Sequence, residues 1–189
     1  MNDRYVFLDR DGVINKDPGG WTEYGYVTVP DNFMVIPGAH EGIKILTDAG
    51  YNIVIISNQQ GVGKGYFSRR ELDAVTAKML SGIKNAGGVI KAVYYCTHLT
   101  SDDCECKKPK PGMFLRAKKE LNIDILEGKY FVGDTERDIQ AGKAAGLKTI
   151  LVLTGKSTRD DAANWEYKPD MICKDLTEAA KTIIESDMK

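Results

Sequence analysis

Apolar residues fall into short unbroken runs separated by stretches of helical spacing, and this alternation defines the expected elements. Tyr5-Val6-Phe7-Leu8 and Ile53-Val54-Ile55-Ile56 have the uninterrupted apolar character of strands buried on both faces of a parallel sheet. Between them, Ala39, Ile43, Leu46 and Ala49 recur at helical intervals until Gly50 stops the pattern. Ser68-Arg69-Arg70-Glu71 has capping-box spacing, and Leu72, Val75, Met79 and Ile83 form the apolar stripe of the helix it opens, which Gly87-Gly88 ends. Further strands are expected at residues 89–95, 129–132 and 149–153, with helices at 112–121 and 136–145. A last strand near Met171-Ile172 precedes a helix capped by Asp175. No internal repeat or low-complexity segment interrupts the series.

This order predicts an α/β fold, a Rossmann-like and mainly parallel sheet with helices on both faces. The connections are too short for a large inserted cap domain. Residues 16–37 break the pattern: they are irregular and rich in glycine, proline and aromatics, including Gly19-Gly20-Trp21 and Tyr24-Gly25-Tyr26. A loop of that length in a compact domain usually carries function or disorder.

The bulk properties narrow the classes. A length of 189 residues with 42% hydrophobic content fits one domain spanning 1–189. With 26 basic and 27 acidic residues, the net charge of -1 gives no case for nucleic acid or an anionic membrane as partner, while a small anionic substrate can still be held locally. No apolar stretch is long enough to span a membrane, and Asn2-Asp3-Arg4 runs straight into the first strand, so no signal peptide is expected and the protein is read as cytoplasmic and monomeric.

The candidate chemistry lies at the strand ends. Asp9 and Asp11 follow the first apolar run, with Gly12 as the turn, and open α/β sheets place ligands at such ends. Phe131-Val132-Gly133-Asp134 repeats the arrangement, and parallel strands would bring Asp134 towards Asp9 and Asp11. Three converging carboxylates repel one another unless a cation sits among them, and Mg²⁺ is the hard, oxygen-seeking candidate. Ser57, Asn58 and Gln59 end a third strand with good donors for a phosphoryl oxygen, and Lys107 or Lys108, ahead of a proline-punctuated helix start, can neutralise phosphate charge. Singly, each acid reads as a turn or helix-cap residue and each lysine as solvated surface. Together at four element ends they outweigh that reading. Gly61-Val62-Gly63-Lys64-Gly65 is no nucleotide-binding loop, because the Ser or Thr after Gly-Lys is missing and Asn58 replaces the first glycine.

Cys96-Thr97-His98 and Cys104-Glu105-Cys106 form a second constellation. A Cys₃His set suits tetrahedral Zn²⁺ in a closed, structural site, here a loop at residues 96–106. Such a site would position Lys107 and Lys108, which follow its last ligand. Cys173 reads as a buried small hydrophobe, and His40 as a residue on a helix surface.

These pieces, in this order, resemble the haloacid dehalogenase superfamily of phosphatases over nearly the whole chain. The resemblance implies that Asp9 is a nucleophile forming an aspartyl-phosphate and that Asp11 is the general acid and then base. It further implies that Ser57 and Lys108 bind phosphate, and that Asp134 binds Mg²⁺ with Asp9 and the backbone carbonyl of Asp11. Asp138 is a candidate to support the metal or to cap its helix. The cysteine loop narrows the resemblance to the branch of D-glycero-D-manno-heptose 1,7-bisphosphate 7-phosphatases and histidinol-phosphate phosphatases. Lys108-Pro109-Lys110-Pro111-Gly112-Met113 and Leu153-Thr154-Gly155-Lys156 are similar to the heptose enzymes, whereas the compact ligand spacing is closer to the histidinol-phosphate group. A sugar bisphosphate is therefore the favoured substrate and histidinol phosphate the alternative. Departures from the heptose pattern are Lys107 in place of an arginine, Thr135 in place of a lysine, and a longer Trp21 region. A zinc-knuckle binding module with vestigial acids is the rival from a different class.

Overall fold

In the computed structural model, residues 4–188 are described, so Asn2 and Asp3 of the N-terminal reading lie outside the described residues. The apolar runs become six strands: β1 (Tyr5–Leu8), β2 (Asn52–Asn58), β3 (Ala92–Cys96), β4 (Tyr130–Gly133), β5 (Lys148–Val152) and β6 (Met171–Cys173). They pair in the order β3-β2-β1-β4-β5-β6, and every pairing is parallel. The chain leaves β1 to one side for β2 and β3, then crosses back to β4 on the other side. The crevice at the C-terminal ends of β1 and β4 is thus the switch point where such sheets bind ligands.

Side chains alternate across each strand and so divide the core into two layers. Val6, Leu8, Ile53 and Ile55 pack beneath α1 (Ala39–Asp48), α2 (Arg69–Asn85) and α6 (Leu176–Asp187), which bury Ile43, Leu46, Val75, Met79, Ile83 and Leu176. Phe7, Val54 and Ile56 face α3 (Gly112–Glu120) and α4 (Glu136–Ala144), which bury Met113, Phe114, Ala117 and Ala141. Phe114 meets Phe7 and Phe131 edge-on at 5.4 and 4.9 Å. The helix α2 opens with the expected box: Ser68 accepts from the Glu71 amide while Glu71 accepts from the Ser68 amide. Such a cap contributes about 1 kcal/mol.

Some boundaries differ from expectation. The strand expected at 89–95 begins only at Ala92, because Val89 is 62% exposed and its amide donates to the Thr47 side chain rather than to a strand. The short helix α5 (Arg159–Asn164) was not anticipated. His40 is half-buried against α2 beside Gly82, and its Nε2 has no partner among the described residues, so it is not a plain surface residue. Cys173 is buried, as expected. No helix among the described residues is long and apolar enough to cross a membrane.

The irregular segment 16–37 is tied to the rest. Trp21 Nε1 donates to the Asp17 carbonyl, Lys16 pairs with Met34, Val27 and Phe33 are buried, and Tyr24 stacks on Tyr66 with ring centroids 4.6 Å apart. Tyr26 leans on Tyr66 and Phe67. The segment thereby forms a wall beside the switch point.

Candidate active site

Leu8 is level with Ile55 of β2 and Val132 of β4, so the next residue of each strand emerges at one rim. Asp9 emerges there, its amide bonded to the Val132 carbonyl at 2.9 Å. Oxygens of Asp9, Asp134 and Asp138 lie within 4.8 Å of one another, an arrangement that can hold a metal ion. The convergence of Asp134 with Asp9, expected from parallel strand ends, is therefore present, but the third carboxylate of the cluster is Asp138 and not Asp11, whose side chain is held by Arg10, Asn15 and Gln59. Two glycines allow it: a Cβ at Gly12 would come within 2.3 Å of Asp134 Oδ2, and one at Gly155 within 2.0 Å. The amide of Lys156 then donates to that oxygen at 2.9 Å, while the Thr154 hydroxyl fastens the two loops by donating to the Gly12 carbonyl.

Lys108 stands against the acids. Only 2% exposed, its Nζ lies 3.0 Å from Asp9 Oδ1, 2.6 Å from Asp138 Oδ1 and 3.1 Å from the Ile56 carbonyl, which uses all three of its protons. Burial opposes its charge, yet Asp138 and Asp9 hold the ammonium above its ordinary range. Burial is also the largest influence on Asp9, raising its carboxyl to about 6 against the pull of Lys108, with Asp138 and Asp11 adding to the rise. Asp134 is pushed well up by burial and by Asp138 and Asp9. Asp138 goes the other way: burial raises it, but Lys108 and the Thr135 donors more than offset that and hold it low. One buried ammonium balances only one of the three carboxylates, and the negative charge left over calls for a second cation. Asp138 takes the helix-cap role considered for it, closing the capping box with Thr135, and it also pairs with Lys108, a contact its sequence position did not suggest.

Asp9 Oδ1 also accepts from the Arg10 amide at 2.7 Å, while Oδ2 receives no hydrogen bond from a described residue. Asp11 is held differently. Its carboxylate accepts from Arg10 Nε and Nη2, from Asn15 Nδ2 and from Gln59 Nε2 at 2.8 Å, and its backbone carbonyl accepts none from a described residue. Arg10 is fully buried, with its Nη1 unpartnered among the described residues and its guanidinium over the Tyr95 ring. Ser57, Asn58 and Gln59 were grouped as donors to a phosphoryl oxygen, and they separate in the structure. Ser57 lines the cavity beside Asp9. Asn58 lines the same cavity and also clamps the Lys108 backbone, its amide donating to the carbonyl and its oxygen accepting the amide, both at 3.1 Å. Gln59 is buried and aims its amide at Asp11 and Ser57. Both amides position a neighbouring functional group. Lys107 reaches the cavity rim and donates to Gln60 and to the Thr100 hydroxyl.

The cysteine loop is assembled as its spacing predicted. Ligand atoms of Cys96, His98, Cys104 and Cys106 lie within 4.8 Å of one another. The sulfurs are 3.1–3.6 Å apart, and His98 Nδ1 is 3.1 Å from Cys106 and 3.8 Å from Cys96. A tetrahedral zinc with bonds of about 2.0–2.3 Å separates its ligands by about 3.5–3.8 Å, so the donor set and its size fit that ion. The Gly112 amide closes the loop by donating to the Glu105 carbonyl, where a Cβ would clash at 2.2 Å.

The cavity over these groups has a volume of about 270 Å³ and is walled by Asp17, Tyr24 and Tyr26 from the irregular segment. Lys64, Lys107, Arg137 and Lys156 bring positive charge to its walls. Lys64 lies over the Tyr26 and Tyr66 rings at 5.8 and 5.5 Å.

Comparison with known proteins agrees with this arrangement. A HAD-hydrolase-like family model matches residues 105–179. The chain is similar to a D-glycero-beta-D-manno-heptose-1,7-bisphosphate 7-phosphatase of Haemophilus ducreyi, 39% identical over 94% of this chain and 97% of that one. A protein of the same name from Pasteurella multocida is 42% identical over 82% and 85% of the two chains. Among solved structures, the D,D-heptose 1,7-bisphosphate phosphatase of B. bronchiseptica, complexed with magnesium and phosphate, superposes with a TM-score of 0.86 at 34% identity, covering 97% of this chain and 99% of that one. Identity at this level along almost the full length of both chains, on the same parallel scaffold, places the protein in the D-glycero-beta-D-manno-heptose-1,7-bisphosphate 7-phosphatase family of haloacid dehalogenase-like hydrolases.

Proposed function

We propose that the protein hydrolyses the 7-phosphate of D-glycero-beta-D-manno-heptose 1,7-bisphosphate through a phosphorylated Asp9. The observation that carries the reading is the buried ammonium of Lys108 between Asp9 and Asp138, with Asp134 alongside. That pocket is negative when empty and suited to a phosphoryl group together with a divalent cation.

The chain's own residues then divide the work. Lys108 and the Arg10 amide fix Asp9 Oδ1 and leave Oδ2 to attack phosphorus. The bond from phosphorus to the sugar oxygen breaks, and Asp11 gives that oxygen its proton, trading the Arg10 contact for the leaving group. Asp11 next takes a proton from water, whose oxygen attacks phosphorus, freeing Asp9 and inorganic phosphate. Ser57 holds a phosphoryl oxygen. Asp9, Asp134 and the Asp11 carbonyl would hold Mg²⁺, which when bound neutralises charge on the phosphoryl oxygens. The reading takes the protein as acting on a small phosphorylated substrate, and its net charge of -1 favours neither nucleic acid nor an anionic membrane as partner.

Steady-state rates on the heptose bisphosphate and on histidinol phosphate, each with Mg²⁺, test this reading. A kcat/KM at least about a hundredfold higher for the bisphosphate is expected, and a preference for histidinol phosphate would overturn the choice. Failure of both, and of aryl phosphates, would favour a non-catalytic binding module.

Zinc at Cys96, His98, Cys104 and Cys106 is assigned a structural role, because the loop it ties leads into the Lys108 backbone that Asn58 clamps. Chelation of the zinc should therefore lower the melting temperature and the phosphatase rate together. A chelated protein that keeps full activity at unchanged stability would remove this role.

A further inference from the structure

A bisphosphate brings a second dianionic group that the buried pocket cannot hold, since every proton on Lys108 Nζ is already directed at Asp9, Asp138 and the Ile56 carbonyl. That group must meet positive charge on the cavity walls. Of the four cations there, Lys156 is paired with Asp17 at 3.4 Å, Lys64 lies across two tyrosine rings, and Lys107 donates to Gln60 and Thr100. Arg137 is different. It is exposed, its guanidinium makes no hydrogen bond or ion pair among the described residues, and it lines three neighbouring hollows: with Asp9 and Asp138, with Lys107 and Thr100, and with Lys156 and Gln140.

We propose that Arg137 binds the non-reacting phosphate of the substrate, with the Lys107 ammonium on the other side of the same group. The assignment rests on the bisphosphate reading above and gives it a specificity-determining residue. A guanidinium offers two parallel N–H donors to a phosphate, which a single ammonium cannot match, and Arg137 needs no existing contact broken to do so. The Lys107 donors meet only the neutral oxygens of Gln60 and Thr100 and can turn from them to an anion. Because this contact forms on binding and is remote from the reacting phosphorus, its loss should appear mainly in KM.

The test compares kcat/KM for heptose 1,7-bisphosphate and for heptose 7-phosphate, which presents the same reacting group without the second phosphate. Arg137→Met should lower the ratio of the two about tenfold, and Arg137→Glu further. Ratios within about twofold of wild type in both variants, alongside a wild-type enzyme that prefers the bisphosphate, would overturn the role of Arg137 alone. A wild-type ratio near unity would instead overturn the bisphosphate reading, and the subsite with it. Since Arg137 is exposed and unpaired, neither substitution threatens folding, and unchanged melting temperatures check this directly.

Discussion

Asp9→Asn should reduce phosphate release by about a thousandfold or more while leaving the fold intact. The change removes the attacking oxygen and the charge that pairs with Lys108 and would hold Mg²⁺, while nearly preserving shape. An asparagine fits the same space, its oxygen can still accept from the Arg10 amide, and Lys108 keeps its 2.6 Å contact with Asp138. The stability consequence has a definite sign. Burial raises the Asp9 carboxyl to about 6, above its ordinary value of 3.8. A group raised in this way stabilises the fold below its ordinary value, and that contribution is lost as pH rises through about 6. Asp134, raised for the same main reason, acts with the same sign. The Mg²⁺-free wild type should therefore lose stability between about pH 4 and pH 6, whereas Asp9→Asn lacks this residue's share. At pH 7 without Mg²⁺ the variant should melt at or above the wild-type temperature. With Mg²⁺ the order should reverse, because the ion binds the ionised carboxylate and stabilises the folded protein. Thermal melts of both proteins across pH, with and without Mg²⁺, check each part. A variant that is both inactive and unfolded would leave Asp9 as a structural residue.

Lys108→Met should be the more damaging change, costing both activity and stability. Its side-chain volume is nearly conserved, so the loss is of charge and not of packing. Removing one partner of a buried pair leaves the other uncompensated, at about 3–5 kcal/mol, and here two carboxylates lose the same partner. The pH signature identifies the cause. In the wild type the Lys108 ammonium is held above its ordinary range, so its contribution is complete below pH 10.5 and constant across the physiological range. Asp138, held low by Lys108, stabilises above 3.8, and that contribution is lost only as pH falls through its depressed folded value. Without Lys108, burial and the mutual repulsion of Asp9, Asp134 and Asp138 lose their main opponent, and all three should shift upward. The variant should then gain stability on acidification from about pH 7 to pH 5, as its acids protonate. A variant of wild-type stability with a flat pH dependence would contradict this account of the buried charges.

Much of this architecture was legible in the sequence, for a physical reason: strands buried on both faces must be continuously apolar, and β1, β2 and β4 are. The acids at their ends follow because parallel strands share a rim. The cluster of Cys96, His98, Cys104 and Cys106 was legible through spacing alone, since two short Cys/His pairs have few other uses in one loop. What stayed hidden depends on contacts between segments far apart. Asn58 and Gln59 have the same donors whichever way they point, and their direction is set by Lys108 and Asp11, 50 and 48 residues away. Asp138 reads as a cap because Thr135 is its near neighbour, while its Lys108 partner is remote in sequence. Gly12 and Gly155 look like ordinary turn residues until Asp134 is seen packed against both. The helix α5 buries only Ala162, too little for an apolar stripe.

The central claim is that Asp9 carries the phosphoryl group between the two half-reactions. Rapid quenching of the enzyme during turnover with Mg²⁺ and heptose bisphosphate, followed by borohydride reduction and peptide mapping, tests it directly, because an acyl phosphate is reduced to the alcohol. The account predicts homoserine at position 9 in the wild type and none in Asp9→Asn. Homoserine at Asp11 or Asp134, with Asp9 unmodified, would contradict it.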